Sequence, residues 1–115
     1  MALARKNRLT KADDFSEIKK RGKRISTKEF VVYVFPNGQD FSRFAVVVSS
    51  KLGDSHLRHR IKRIAQEIFR KNETQYIKNI DCILIYQEKI SRTIVSSEFE
   101  KKFLGLLKKI NLISE

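Results

Sequence analysis

From Ser55 to Lys71 the apolar residues recur with a helical period. Leu57, Ile61, Ile64, Ala65, Ile68 and Phe69 fall on one stripe at about 100° per residue. A helix this short is marginal alone in water, so its stripe needs a sheet or other helices against it, and the rest of the chain must supply them. The surface around the stripe is equally restrictive. Residues 51–71 hold seven basic side chains (Lys51, Arg58, Arg60, Lys62, Arg63, Arg70 and Lys71) against two acids, Asp54 and Glu67. Arg58 and Lys62 lie on one flank of the stripe, Arg60 and Lys71 on the other, and Arg63 and Arg70 nearly opposite it. Like charges four residues apart repel on a helix, so a helix positive around its whole exposed surface fits a polyanion better than bare solvent. Arginine adds a planar fork that grips a phosphate through two hydrogen bonds.

The other segments supply the missing surfaces. Residues 29–35 and about 42–50 are rich in β-branched and aromatic types and read as strands. Phe30, Val32 and Val34 take one face of the first; Val31, Tyr33 and Phe35 take the other. The turn around Pro36-Asn37-Gly38 between them suggests an antiparallel hairpin with a longer loop. Residues 81–86 form a short strand apolar on both faces, and a further short strand fits at Lys23–Ser26. Two more helices are expected. One is opened by a capping box at Thr10-Lys11-Ala12-Asp13 and stopped at Gly22, with Phe15 and Ile18 on one face. The other starts with a second box, Ser97-Glu98-Phe99-Glu100, and carries the stripe Phe99, Phe103, Leu106, Leu107, Ile110. Ser55 or Asp54 can cap the basic helix. The expected fold is α+β, a two-layer sandwich in the order α-β-β-(β)-α-β-α, with a helical layer on one sheet and the other sheet face partly open. Residues 1–115 form one domain, of which 1–9 are a flexible basic arm anchored by Leu9.

Charge then narrows the function. Lys plus Arg number 25 against 13 acids, a net charge of +12, and self-repulsion of that size is tolerated where nucleic acid is the partner. No apolar run approaches the roughly 20 residues of a membrane span, and the N-terminus lacks a signal peptide's apolar core and cleavage site. The single cysteine, Cys82, lies inside an apolar strand as a buried thiol. These features point to the cytoplasm. His56 and His59 lack a third metal ligand nearby. Asp13, Asp14 and Glu17 suit a helix N-terminus and its dipole. No nucleophile elbow, phosphate loop or paired carboxylate set in an apolar context appears, so no catalytic residue, metal or cofactor is expected in the chain itself, nor a small-molecule substrate.

The segment Lys51-Leu52-Gly53 followed by Arg58-His59-Arg60-Ile61-Lys62-Arg63 resembles the signature of a known family, the protein subunit of bacterial ribonuclease P: a Lys-x-Gly turn from strand to helix, then an Arg-Asn-Arg-x-Lys-Arg helix. The similarity runs through nearly the whole chain. Asn7-Arg8-Leu9 with Asp14-Phe15 resembles the family's opening helix, Gly22 its stop, and Phe30-Val31-Val32-Tyr33 its first strand. Arg43-Phe44-Ala45-Val46-Val47-Val48-Ser49 resembles its second. The resemblance implies a left-handed crossover between strands and a division of labour. A catalytic RNA subunit holds the magnesium ions and removes the 5′ leader of precursor tRNA. The protein binds that RNA through Arg58, His59, Arg60, Lys62 and Arg63, with Lys51 nearby. It also binds the single-stranded leader in a cleft that includes Phe15, Lys19, Tyr33 and Ser49. Unstacked bases on aromatic faces, with cations along the phosphates, agree with that assignment.

The sequence departs from the family's pattern at four places. His59 stands for the usual Asn, and Gln66 for a further basic residue. Lys19 replaces a cleft aromatic, trading stacking for a phosphate contact. Ala45 and Val47 replace a small or hydroxyl-bearing pair. Phe15 and Tyr33 each admit a second reading as plain core residues. A structural RNA-binding protein of the ribosomal type, with no processing role, is the alternative from another class, and a free-standing nuclease is a third.

Overall fold

The computed structural model describes residues 5–72, 78–89 and 96–110. Its elements are α1 (Ala12–Arg21), β1 (Lys23–Ser26), β2 (Phe30–Pro36), β3 (Arg43–Val48), α2 (Ser55–Lys71), β4 (Ile80–Tyr86) and α3 (Ser96–Lys109), with single 3-10 turns at Arg5–Asn7 and Ser50–Leu52. The fold is α+β, and the optional strand at Lys23–Ser26 is present.

The expected hairpin between the second and third strands does not form. The sheet order is β1-β2-β4-β3, so β4 lies between them. It pairs antiparallel with β2, Phe30 opposite Tyr86, and parallel with β3, Arg43 opposite Asp81. Composition explains the order. Both β2 and β4 are apolar on both faces and gain most in the centre, where both faces are covered. The basic β1 and the half-exposed β3 are left as edges. The loop after β2 is long enough to step over one strand, a gap of roughly 10 Å, and its polar groups hold the incoming end of β4. Asn37 N–H donates to Asn79 O (3.2 Å), the Asn79 amide donates to Gln39 O (2.8 Å), and Ile80 N–H donates to the Ser42 hydroxyl (3.0 Å). Gly38, at φ 65°, makes the turn.

The helical layer is α2 and α3. The α2 stripe (Ile61, Ile64, Ala65, Ile68, Phe69) meets Phe30, Val32, Phe44, Cys82 and Leu84 in one core with Phe99, Phe103, Leu106 and Leu107 of α3. Phe44 stacks on Phe69 at 4.3 Å between ring centroids, and Phe30 lies 5.2 Å from Phe99. Each such side chain, fully buried, contributes about 1.5–3 kcal/mol. α1 lies on the opposite face, where Leu9 and Ile18 cover Ile83 beside Phe15, Tyr33, Phe35, Ala45 and Ile85. One ten-residue helix cannot cover four strands, so part of this face stays open, as the sequence suggests.

Three boundaries differ from the sequence reading. The Thr10 box does not form: α1 starts at Ala12 with an uncapped Lys11 before it. Leu9 is buried and its N–H bonds to Phe44 O (3.0 Å), which holds the chain extended up to Lys11. The Ser97 box does not form either. α3 already begins at Ser96, and Glu100 reaches across to α2, accepting from the Asn72 amide (2.8 Å) and Lys71 Nζ (3.3 Å). Of the two caps offered for α2, Asp54 is the one used, accepting from Leu57 N–H at 2.9 Å. Residues 5–9, expected to belong to a flexible arm, are docked on the sheet edge: Asn7 is buried and donates to Ser42 O (2.8 Å), and Arg8 bridges to Phe44.

Candidate nucleic-acid interface

The connection from β3 to α2 is fixed at each step. The Ser49 hydroxyl accepts from Lys51 N–H (3.3 Å) across the short turn, and Asp54 caps the helix. Burial of the stripe then forces the basic residues outward. Lys51, His59, Arg60, Arg63 and Arg70 are exposed; Arg58 and Lys62 are half-buried. Arg58 folds back on the turn, its Nε donating to Gly53 O at 3.2 Å, so its charge is held where strand becomes helix. All six residues expected to touch the RNA subunit therefore lie along the turn and the first half of one helix.

The residues expected to form the leader cleft lie on the other side of the sheet. Phe15 of α1 and Tyr33 of β2 are both half-buried around Ile83, Lys19 is exposed, and Ser49 is exposed at the end of β3. Phe15 and Tyr33 thus pack against the small cluster while remaining partly accessible. Strand register sets Tyr33, Ile83 and Ala45 in one row across this face, with Ile85 and Val47 in the row beyond. Val47 is the exposed large apolar residue of the described set, at 39%. With Ala45 half-buried beside it, this stretch of the face is apolar and unoccupied by hydroxyls.

Sequence reasoning missed two features of this face. Arg24 of β1 pairs with Tyr33, which places an exposed guanidinium-bearing residue beside the aromatic on the same face. The tight turn at residues 27–30, where Thr27 N–H donates to Phe30 O (2.9 Å), fixes that register. Counting back from such a turn could have found Arg24. The second is a polar cluster under the start of α1. Arg43 grips Asp81 through Nε (2.9 Å) and Nη2 (2.6 Å) and offers Nη1 to Asp14 (3.4 Å). Its hydrogen bonds to Asp81 raise the guanidinium above its ordinary value.

Two of the three acidic residues of α1 are taken up by cations, Asp14 by Arg43 and Glu17 by Arg21 at 2.9 Å. Arg21 also lies over the Phe35 ring, 5.3 Å from its centroid. Among the described residues no group of three His, Cys, Asp or Glu is placed to hold a metal ion, and no helix is long and apolar enough to cross a membrane. Cys82 is buried, and desolvation pushes its thiol well above the usual range.

Known proteins are similar in sequence and in fold. The family model described as Ribonuclease P matches residues 3–111. The ribonuclease P protein component of Alkaliphilus oremlandii is 36% identical over 111 residues, covering 94% of each chain. That of Thermotoga maritima is 37% identical over 112 residues, covering 95% of this chain and 96% of its own. The solved ribonuclease P protein of Thermotoga maritima superposes with a TM-score of 0.80 at 36% identity over 90% of this chain and 97% of its own. That of Staphylococcus aureus gives 0.82 at 28% identity over 94% and 98%. These relatives do not favour the ribosomal alternative. With the Arg-rich helix and the sheet order in place, the chain belongs to the ribonuclease P protein family, the protein component of a tRNA-processing endoribonuclease that has RNA as its partner.

Proposed function

We propose that this protein holds the two RNAs of its holoenzyme on opposite faces of one sheet. α2 and the turn before it (Lys51, Arg58, His59, Arg60, Lys62, Arg63) bind the catalytic RNA subunit. The face beside α1 (Phe15, Lys19, Tyr33, Ser49) binds the 5′ leader of precursor tRNA. The protein supplies affinity and position, and no catalytic group. Hydrolysis of the leader phosphodiester belongs to the RNA subunit and the magnesium ions it requires, in the cytoplasm. The observation that carries this reading is the chemical contrast between the two surfaces. One is a strongly basic helix, rich in guanidinium groups and with no exposed Phe, Tyr or Trp, suited to backbone phosphates. The other has an aromatic and apolar floor with cations at its rim, suited to unstacked bases.

The test is a pair of binding titrations with assembled holoenzyme, precursor against mature tRNA. Tyr33→Ala is expected to weaken precursor binding by about 1–3 kcal/mol, the worth of one stacked base. Mature tRNA and the RNA subunit should be nearly unaffected, because only the precursor has a leader. Equal weakening of both tRNA forms by a folded variant would show that Tyr33 does not touch the leader.

A further inference from the structure

α1 carries both Phe15 and Lys19, so the shape of the leader cleft depends on how this helix sits over the sheet. Two points outside the cleft hold it. At its C-terminal end the backbone of Gly22 is pressed against β2: a Cβ built there would lie 3.0 Å from Val34 O. At its N-terminal end the contact is polar. Asp81 of the central strand is nearly closed to solvent, with 4% of its side chain exposed. Its charge is tolerated because Oδ1 accepts from Arg43 Nε and from the Asn37 amide (2.9 Å), and Oδ2 from Arg43 Nη2. Two hydrogen bonds to one carboxylate fix the plane of the guanidinium. Its remaining terminal nitrogen then stands at a set height above the sheet, and Asp14 in the first turn of α1 meets it there. Between the two points lie Phe15 and Lys19, with the buried Ile18 below them.

We propose that Arg43, locked by Asp81 and paired with Asp14, is a positioning residue for the leader. It fixes the tilt of α1 and thereby the gap between Phe15 on the helix and Tyr33 and Ala45 on the sheet. This rests on the leader reading above. Arg43 touches no leader atom; it acts through α1. Asp14 is the part of the device that can be removed without exposing a buried charge, since a third of its side chain already meets solvent, 32%.

The experiment compares Asp14→Ala with Asp13→Ala in assembled holoenzyme. Both variants lose one carboxylate from the first turn of α1 and the same dipole interaction, but only Asp14 reaches Arg43. Asp14→Ala is expected to lower affinity for precursor tRNA about threefold, the scale of a partly exposed ion pair, and to leave mature tRNA and RNA-subunit binding unchanged. Asp14→Glu should recover part of the loss, and Asp13→Ala should show none. In the free protein, amide hydrogen exchange across α1 should quicken in Asp14→Ala and not in Asp13→Ala, with α3 unaffected. Tyr33→Ala is the reference. If it shifts the ratio of precursor to mature affinity and Asp14→Ala does not, the tether is overturned and the leader reading stands. If neither variant shifts the ratio, both fail. Equal exchange of α1 in the two aspartate variants would overturn the tether whatever the titrations show.

Discussion

At position 22 a side chain has no room. A Cβ there would lie 2.5 Å from Ile18 O and 3.0 Å from Val34 O, both of them backbone atoms that cannot swing aside. Gly22→Ala is therefore expected to lower the unfolding free energy by about 1–3 kcal/mol, the usual cost of overpacking, read from urea unfolding with an unchanged slope. The sequence shows a glycine stopping a helix; the reason, close approach to the neighbouring strand, is visible only in three dimensions. Arg24 is a second position whose meaning comes from its neighbour across the sheet. Arg24→Ala should weaken precursor tRNA more than mature tRNA, and the logarithmic salt slope for the precursor should fall by up to about one unit. An unchanged slope would mean that Arg24 lies off the leader's path. For Phe15 and Tyr33 the choice between core and cleft was not decidable from sequence for a physical reason. Both are half-buried against the Ile83 cluster, a middle state that the pattern of apolar residues along the chain does not encode.

Elements with a long, regular period were the legible ones. The bounds of α2 follow from its stripe because five buried positions over its length leave one way to orient the helix. Strand partners were not legible, since β2, β3 and β4 are each short and apolar, and any pair of them satisfies local rules. The capping boxes misled because nearby partners outbid them: Leu9 on Phe44 for α1, and Asn72 with Lys71 on Glu100 for α3. The last contact joins the end of α2 to the start of α3 and has a pH signature. The hydrogen bond from Asn72 holds the Glu100 carboxyl below its ordinary value. A carboxyl lowered in the folded state stabilises it above the unfolded pKa, and that contribution is lost as pH falls through the folded pKa. Wild type is thus expected to exceed Glu100→Gln by up to about 1 kcal/mol near pH 7, with the two converging below the ordinary carboxylate range. A difference that stays constant down to pH 3 would rule out this role.

For the whole molecule, the sheet acts as a partition. α2 and its cations are on one side, and α1, Tyr33 and Arg24 on the other, meeting where Ser49 and Lys51 share a turn. Substitutions should sort accordingly. Arg60→Ala and Arg63→Ala are each expected to weaken assembly with the RNA subunit by about 1–3 kcal/mol and to lower the salt slope by up to about one unit, whatever tRNA is bound. Gel-shift titrations across a salt series check this, and unchanged affinity and slope in both variants would place the helix in solvent. Fold class and the basic helix were legible because composition and period encode them; the strand order was not, because it depends on β4 entering between β2 and β3. That insertion also bears on synthesis. β2 meets its second strand partner only when β4 arrives, Phe30 opposite Tyr86, and β3 has no described strand beside it until the same segment emerges. During translation the first three strands and the whole basic helix therefore leave the ribosome before the sheet can close. Non-local pairing of this kind slows folding and leaves edges uncovered, so a nascent chain paused before residue 80 should be protease-sensitive, and one extended past residue 86 should gain protection in a single step.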